Sequence, residues 1–143
     1  MPGTPETIIA FDFGLRRIGV AVGQQVTRSA NPLETVSNGE SGPDWRRIES
    51  LVREWRPQRL IVGQPMHADG TPSDIDGPVR QFIDALGRFE LPVETVDERY
   101  SSIEAEAMLK SRRQEGGRGR ISKDAIDSAA ATLIAERWLK NEL

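Results

Sequence analysis

Two short apolar runs near the N-terminus leave little freedom in how this chain begins to fold. Thr7 to Phe13 reads TIIAFDF and Ile18 to Val22 reads IGVAV; both are rich in β-branched or aromatic residues, which suit strands. Gly14 and Gly23 stop them. The linker from Gly14 to Arg17 is short enough to be a tight turn, so the runs predict an antiparallel hairpin, with glycine able to supply the positive φ that turns often demand. An acid, Asp12, lies inside the more apolar of the two strands.

The rest of the chain alternates. A weaker third strand is expected within Ala30 to Val36. Trp45, Ile48, Leu51, Val52 and Trp55 then fall at helical spacing between Asp44 and Arg56, and Pro57 ends that helix. Arg59 to Gly63 (RLIVG) has the pattern of a short buried strand, followed by the Pro- and Gly-punctuated loop QPMHADGTPSD. Val79, Phe82, Ile83 and Leu86 mark a second helix ending near Gly87, and Pro92 to Val96 (PVETV) is a further strand. Ser101 with Glu104 is a capping-box signature opening a helix that ends near Arg113. After a glycine-punctuated basic stretch, Ser122 can cap a last helix, Lys123 to Leu143, with Ile126, Ala130, Leu133, Ile134 and Trp138 on its buried face. This order predicts an α/β fold: a five-stranded mixed sheet, antiparallel at its N-terminal strands and then parallel, with helices on both faces. With 143 residues and no linker or repeat, residues 1–143 are expected to form one domain.

Composition narrows the chemistry. No apolar run approaches the roughly 20 residues that cross a bilayer, and the start lacks the features of a signal peptide, so a cytoplasmic protein is expected. There is no cysteine, which excludes disulfides and thiolate metal sites. His67 is the lone histidine and reads as a loop residue, so any metal must be held mainly by oxygen. A net charge of -3 offers no global attraction to nucleic acid. The distribution does: Lys110 to Lys123 carries six basic residues, including Arg112, Arg113, Arg118, Arg120 and Lys123, against the single acid Glu115. Trp45, Trp55 and Trp138 sit on apolar helical stripes and read as packing residues.

Three acids stand where an acid is a poor structural choice. Asp12 is inside a strand, Glu98 follows a strand directly, and Asp127 precedes a run of three alanines in the last helix. Buried carboxylates are costly unless paired or metal-bound. Phosphodiester hydrolysis at a two-metal site needs such carboxylates converging on hard cations, for which magnesium is suited. Asp124 lies one turn before Asp127 and could share the role, whereas strand alternation sends Asp97 and Glu98 to opposite faces. Spacing alone leaves open the alternative that these are surface acids and helix-terminus charges.

Four blocks go further. FDFGLRRIGVAVG from Phe11, IVGQPMHADGT from Ile61, VDERYSSIEAEAML from Val96 and KDAIDSAAATLIAERWL from Lys123 follow in an order that resembles the YqgF-type (RuvX) pre-16S ribosomal RNA nucleases, relatives of the Holliday-junction resolvases. The resemblance spans nearly the whole chain. It implies a ribonuclease-H-like fold, an Mg²⁺- or Mn²⁺-dependent endonuclease, and a catalytic acid set of Asp12, Glu98 and Asp127. It also implies that Arg16 or Arg17, Arg99 and the basic run line the path of the phosphates. An ion pair with a neighbouring carboxylate is the other reading of Arg99. Gln64 departs from the leucine-like residue usual in the second block, and Ser102 stands where threonine is common; neither is a proposed ligand.

Structured RNA, with precursor 16S ribosomal RNA foremost, and branched DNA both present the phosphodiester this site would cut. Other classes are a nucleic-acid-binding module with little turnover, and a nucleotide-binding domain suggested by the phosphate-loop look of DFGLRRIG. The sequence marks no interface, so monomer and homodimer both stay open.

Overall fold

A computed structural model describes residues 6–64, 76–97 and 123–141. Six strands form one mixed sheet: β1 (Thr7–Phe13), β2 (Arg17–Gln24), β3 (Ser29–Gly39), β4 (Gly42–Pro43), β5 (Arg59–Gln64) and β6 (Val93–Asp97), in the spatial order β4-β3-β2-β1-β5-β6. β1 to β4 pair antiparallel, β5 pairs parallel with β1, and β6 pairs parallel with β5. The sheet therefore has one strand more than the expected five. The addition, β4, is a two-residue pairing of Gly42 and Pro43 with Gly39 and Asn38, too short and too rich in turn residues to be read as a strand.

β3 is longer than expected because its alternate residues face solvent, which breaks up its apolar pattern. The β2–β3 register shifts between Val20 and Ala21, where Glu34 and Pro32 are the successive partners. Pro32 has no N–H to donate, so an irregularity there is expected.

Helices cover both faces. α1 (Trp45–Trp55) is capped by Asp44, whose side chain accepts from the Arg47 N–H, and it ends on Arg56 in the left-handed region, φ 47°. α2 (Asp76–Leu86) runs into a short 3₁₀ turn, Gly87–Phe89. These two cover the face carrying Ile9, Phe11, Phe13, Ile18, Val20, Leu60 and Val62. Phe82 is the centre of that core, with its ring 5.4 Å from Phe11, 5.2 Å from Phe13 and 5.6 Å from Trp45.

α3 (Lys123–Asn141) covers the other face, packing Ile134, Ala135, Trp138 and Leu139 on Ile8, Ala10 and Ile61. The expected buried face of this helix needs correcting. Leu133 is only half-buried, while Ala129, Ala130, Ala131 and Thr132 are all buried, so burial extends around most of the helix. Small residues let α3 lie close to the sheet and remove the spacing signal that a one-sided helix shows. No helix among the described residues is long and apolar enough to cross a membrane. The helix expected from Ser101 to Arg113, the loop containing His67 and the cap at Ser122 lie outside the described residues.

Candidate functional site

Strand alternation decides where Asp12 points. Ile9, Phe11 and Phe13 belong to the α1–α2 core, while Ile8 and Ala10 belong to the α3 core. Asp12 continues the second series, so it lies on the face that α3 covers. It is half-buried, pairs with Gly19 of β2, and stands one residue before β1 ends. The facing glycine offers no side chain to crowd the carboxylate.

The same parity runs across the parallel strands. Ala10, Ile61 and Glu94 are in register, and two residues on, Val96 of β6 packs against the α3 core. The carboxyl ends of β1, β5 and β6 thus lie side by side, the edge at which α/β sheets commonly bind ligands. α3 contributes from above. Trp138 lies under the Arg59 guanidinium, 5.6 Å from ring centroid to cation, and Ala135 is next to Gly23 and Ile8. Both contacts sit at the amino ends of β5 and β1, so α3 finishes there and its earlier turns lead away from that edge. Asp124 and Asp127 are the second and fifth residues of α3.

The β1–β2 turn, Gly14 to Arg16, borders Asp12. Arg16 is exposed, and Arg17, at the start of β2, is half-buried. Gly14 is needed there for a reason other than the one its sequence position suggests: its φ is not positive. A Cβ at this position would sit 2.6 Å from the Arg17 carbonyl oxygen, so only glycine fits the close approach of the chain to itself. The turn is bound from β3 by Asn38, a buried polar residue. Its side-chain Nδ2 donates to the Gly14 carbonyl at 2.7 Å, and its backbone N–H donates to the Arg16 carbonyl at 2.8 Å. Sequence reasoning missed Asn38, because within SNGESG it looks like any turn asparagine.

At the opposite edge, Arg59 donates to Glu6 (3.2 and 3.3 Å) and to Glu94, tying β5 to the residue before β1 and to β6. The Glu6 hydrogen bond is the main reason its guanidinium is held further toward the charged form, with Glu94 adding to it. This network lies at the amino ends of the strands, away from Asp12, and is structural.

Of the expected site residues, Asp12, Arg16 and Arg17 lie together at one end of the hairpin. Glu98, Arg99, Arg112, Arg113, Arg118 and Arg120 lie outside the described residues, as do the side chains of Asp124, Asp127 and Lys123. Among the described residues no three metal-ligating side chains form a group. The donor chemistry of the expected set can still be tested against a cation. It consists of carboxylates only, and Asp12, its described member, is half-buried beside a glycine, which fits a hard, oxygen-seeking divalent ion.

The RuvX family model, described as Holliday junction resolvase, matches residues 6–141. A protein of Edwardsiella ictaluri named as a pre-16S rRNA nuclease is 42% identical over 139 residues, which cover 96% of this chain and 97% of that protein. One of the same name from Burkholderia cenocepacia is 47% identical over 134 residues, 93% of this chain and 88% of that protein. Among solved structures, T. thermophilus RuvC in complex with a Holliday junction substrate aligns with a TM-score of 0.55 at 13% identity, covering 95% of each chain. Fowlpox virus resolvase in complex with Holliday junction DNA aligns with a TM-score of 0.55 at 10% identity, covering 96% of this chain and 99% of that one. At such identities the structures speak to fold alone, and the fold is the expected ribonuclease-H-like mixed α/β architecture.

Proposed function

The chain belongs to the RuvX family, and from that premise we propose that it is a metal-dependent endonuclease that trims the 5′ end of precursor 16S ribosomal RNA. The observation that carries the reading is Asp12. It is a half-buried carboxylate on the α3 face of the sheet, near the end of a central strand, in a chain whose relatives match most of its length and are named for cutting this RNA. Substrate location then places the protein in the cytoplasm, and residues 1–143 act as one nuclease domain.

In this reading Asp12, Glu98 and Asp127 hold Mg²⁺ or Mn²⁺, with Asp124 a further candidate ligand. The bound cations would supply a water of lowered pKa and would offset charge on the leaving oxygen. The chain's own residues do the rest. Asp12 is fixed by the β1–β2 ladder, and Arg16, exposed at the adjacent turn, meets a phosphate from the solvent side. Arg17, Arg99, Arg112, Arg113, Arg118, Arg120 and Lys123 extend the phosphate path, which supplies locally the attraction that a net charge of -3 lacks.

A second reading, cleavage of branched DNA, is favoured by the likeness to resolvases solved with Holliday junctions. The two substrates share the scissile group and differ in groove shape and the 2′-hydroxyl. The test is cleavage of precursor 16S ribosomal RNA against a four-way DNA junction, each with Mg²⁺ and with EDTA, alongside Asp12→Asn. Mg²⁺-dependent cutting of the RNA that EDTA and Asp12→Asn both abolish is the expected result. Selective cutting of the junction would transfer the assignment to DNA, and binding without cleavage of either would show a module with little turnover.

A further inference from the structure

The β1–β2 turn is poorly held by packing. Leu15 at its tip is 59% exposed, and on the α1–α2 side the turn borders an open groove of about 300 Å³ flanked by Phe13, Trp45, Gln81 and Phe82. The regular ladder ends at Phe13 and Ile18, so Gly14, Leu15 and Arg16 have no cross-strand partner within the hairpin. Yet this turn joins the strand bearing Asp12 to the one that begins at Arg17, and it carries Arg16. What reaches it is Asn38. Asn38 is 6% exposed, and it binds two of the three turn carbonyls, at 2.7 and 2.8 Å.

An amide buried at a strand end and aimed at a loop carbonyl is costly unless the hydrogen bond is kept, so its geometry is well defined. The arrangement has a further constraint, since the missing Gly14 side chain lets the Arg17 carbonyl come close to the turn. The turn is therefore held by β3 and approached closely by its own return strand. We propose that Asn38 is a positioning residue for cleavage: it fixes the turn and so sets the Arg16 guanidinium relative to the Asp12 carboxylate. The inference rests on the nuclease reading of Asp12. Catalysis needs reacting groups held in place, and small misplacements of such groups cost rate out of proportion to the stability lost.

The experiment compares Asn38→Leu, which keeps the branching and heavy-atom count and removes the donor, with the parent chain. Backbone ¹⁵N order parameters of Leu15 and Arg16 are read together with kcat and KM on the substrate the parent cuts, and with the melting temperature. The expected result has three parts. The order parameters fall from about 0.85 toward 0.6, kcat falls about tenfold, and KM stays within about threefold because Arg16 is one phosphate contact among several. Should Asn38→Leu fail to fold, Asn38→Ala, which strains nothing, takes its place. An unchanged turn overturns the proposal. So does a loosened turn with unchanged kcat, which would make Asn38 purely structural. A parent chain that cuts neither RNA nor DNA overturns the nuclease reading itself and this inference with it. That outcome is distinct from failure of the Asn38 role, which shows as an active parent and an equally active variant.

Discussion

Gly14→Ala is the substitution whose cost the structure specifies most closely. The added Cβ would meet the Arg17 carbonyl oxygen at 2.6 Å, about 0.8 Å inside the 3.4 Å at which ordinary contact begins. The obstacle is backbone, which cannot swing away as a side-chain end would, so the turn itself has to move. Moving it displaces the Gly14 carbonyl that Asn38 holds at 2.7 Å and takes that bond out of its favourable geometry. Overpacking costs about 1–3 kcal/mol, and a buried amide deprived of its partner adds about 1 kcal/mol. Against this, alanine lowers the entropy of the unfolded chain and returns about 0.4–1 kcal/mol. The clash wins, and the net loss is about 1–3.5 kcal/mol, a fall in Tm of roughly 3 to 12 °C for a chain of this size. Gly77→Ala is the matched control. Gly77 lies in the first turn of α2, its Cβ would meet nothing within 4 Å, and its φ is not positive, so only the favourable entropy and propensity terms remain. Its Tm should rise by a few degrees. Differential scanning calorimetry on both variants decides the matter: a Gly14→Ala protein as stable as the parent, or no more perturbed than Gly77→Ala, would refute the account of the turn as held by Asn38 and crowded by the Arg17 carbonyl.

Three further outcomes follow from the packing and the charge distribution. Ile134→Ala, at a fully buried position of α3, should cost about 2–4 kcal/mol in urea unfolding, and a loss under about 1 kcal/mol would mean α3 is not docked as described. Arg59→Met should cost about 1 kcal/mol by removing the ties to Glu6 and Glu94 and the contact with Trp138, and the loss should shrink at high salt; a salt-independent loss would point to packing alone. Arg16→Ala, at an exposed residue, should leave Tm unchanged and lower the magnitude of the salt slope of nucleic-acid binding by about 0.7–0.9; an unchanged slope would remove Arg16 from the phosphate path.

What could be read in advance followed local rules. β1 runs from Thr7 to Phe13 and α1 from Trp45 to Trp55 because β-branched runs and one-sided apolar spacing are contained in the segments themselves. Pro57 as stop needed no tertiary information either. The misses share a cause of the opposite kind. β4 exists only because Gly42 and Pro43 lie against the end of β3, and the burial of Asn38 depends on a turn 24 residues away in sequence. Gly14 was legible as a necessary glycine, but the reason, a carbonyl approaching from Arg17, is a contact and leaves no trace in composition. The site divides the same way. Asp12 was conspicuous as an acid inside an apolar strand, whereas Asn38 looks unexceptional until β3 is paired.

The two faces of β1 also explain why Asp12 can occupy its position at all. An acid in a central strand flanked by buried neighbours would ordinarily weaken the sheet, and a slip of one residue would turn the carboxylate to the other side. That slip would carry Phe11 and Phe13 off Phe82, undoing an edge-on contact at 5.4 Å and a tilted one at 5.2 Å. Each phenylalanine so displaced forfeits about 1.5–3 kcal/mol of burial, and the ring pairs add about 0.5–1.5 kcal/mol each. The aromatic core against α1 and α2 therefore outweighs the cost of a half-buried carboxylate and holds Asp12 on the α3 face. The Asp-Phe alternation works as a unit: the phenylalanines of FDF choose the register, and the register aims the acid.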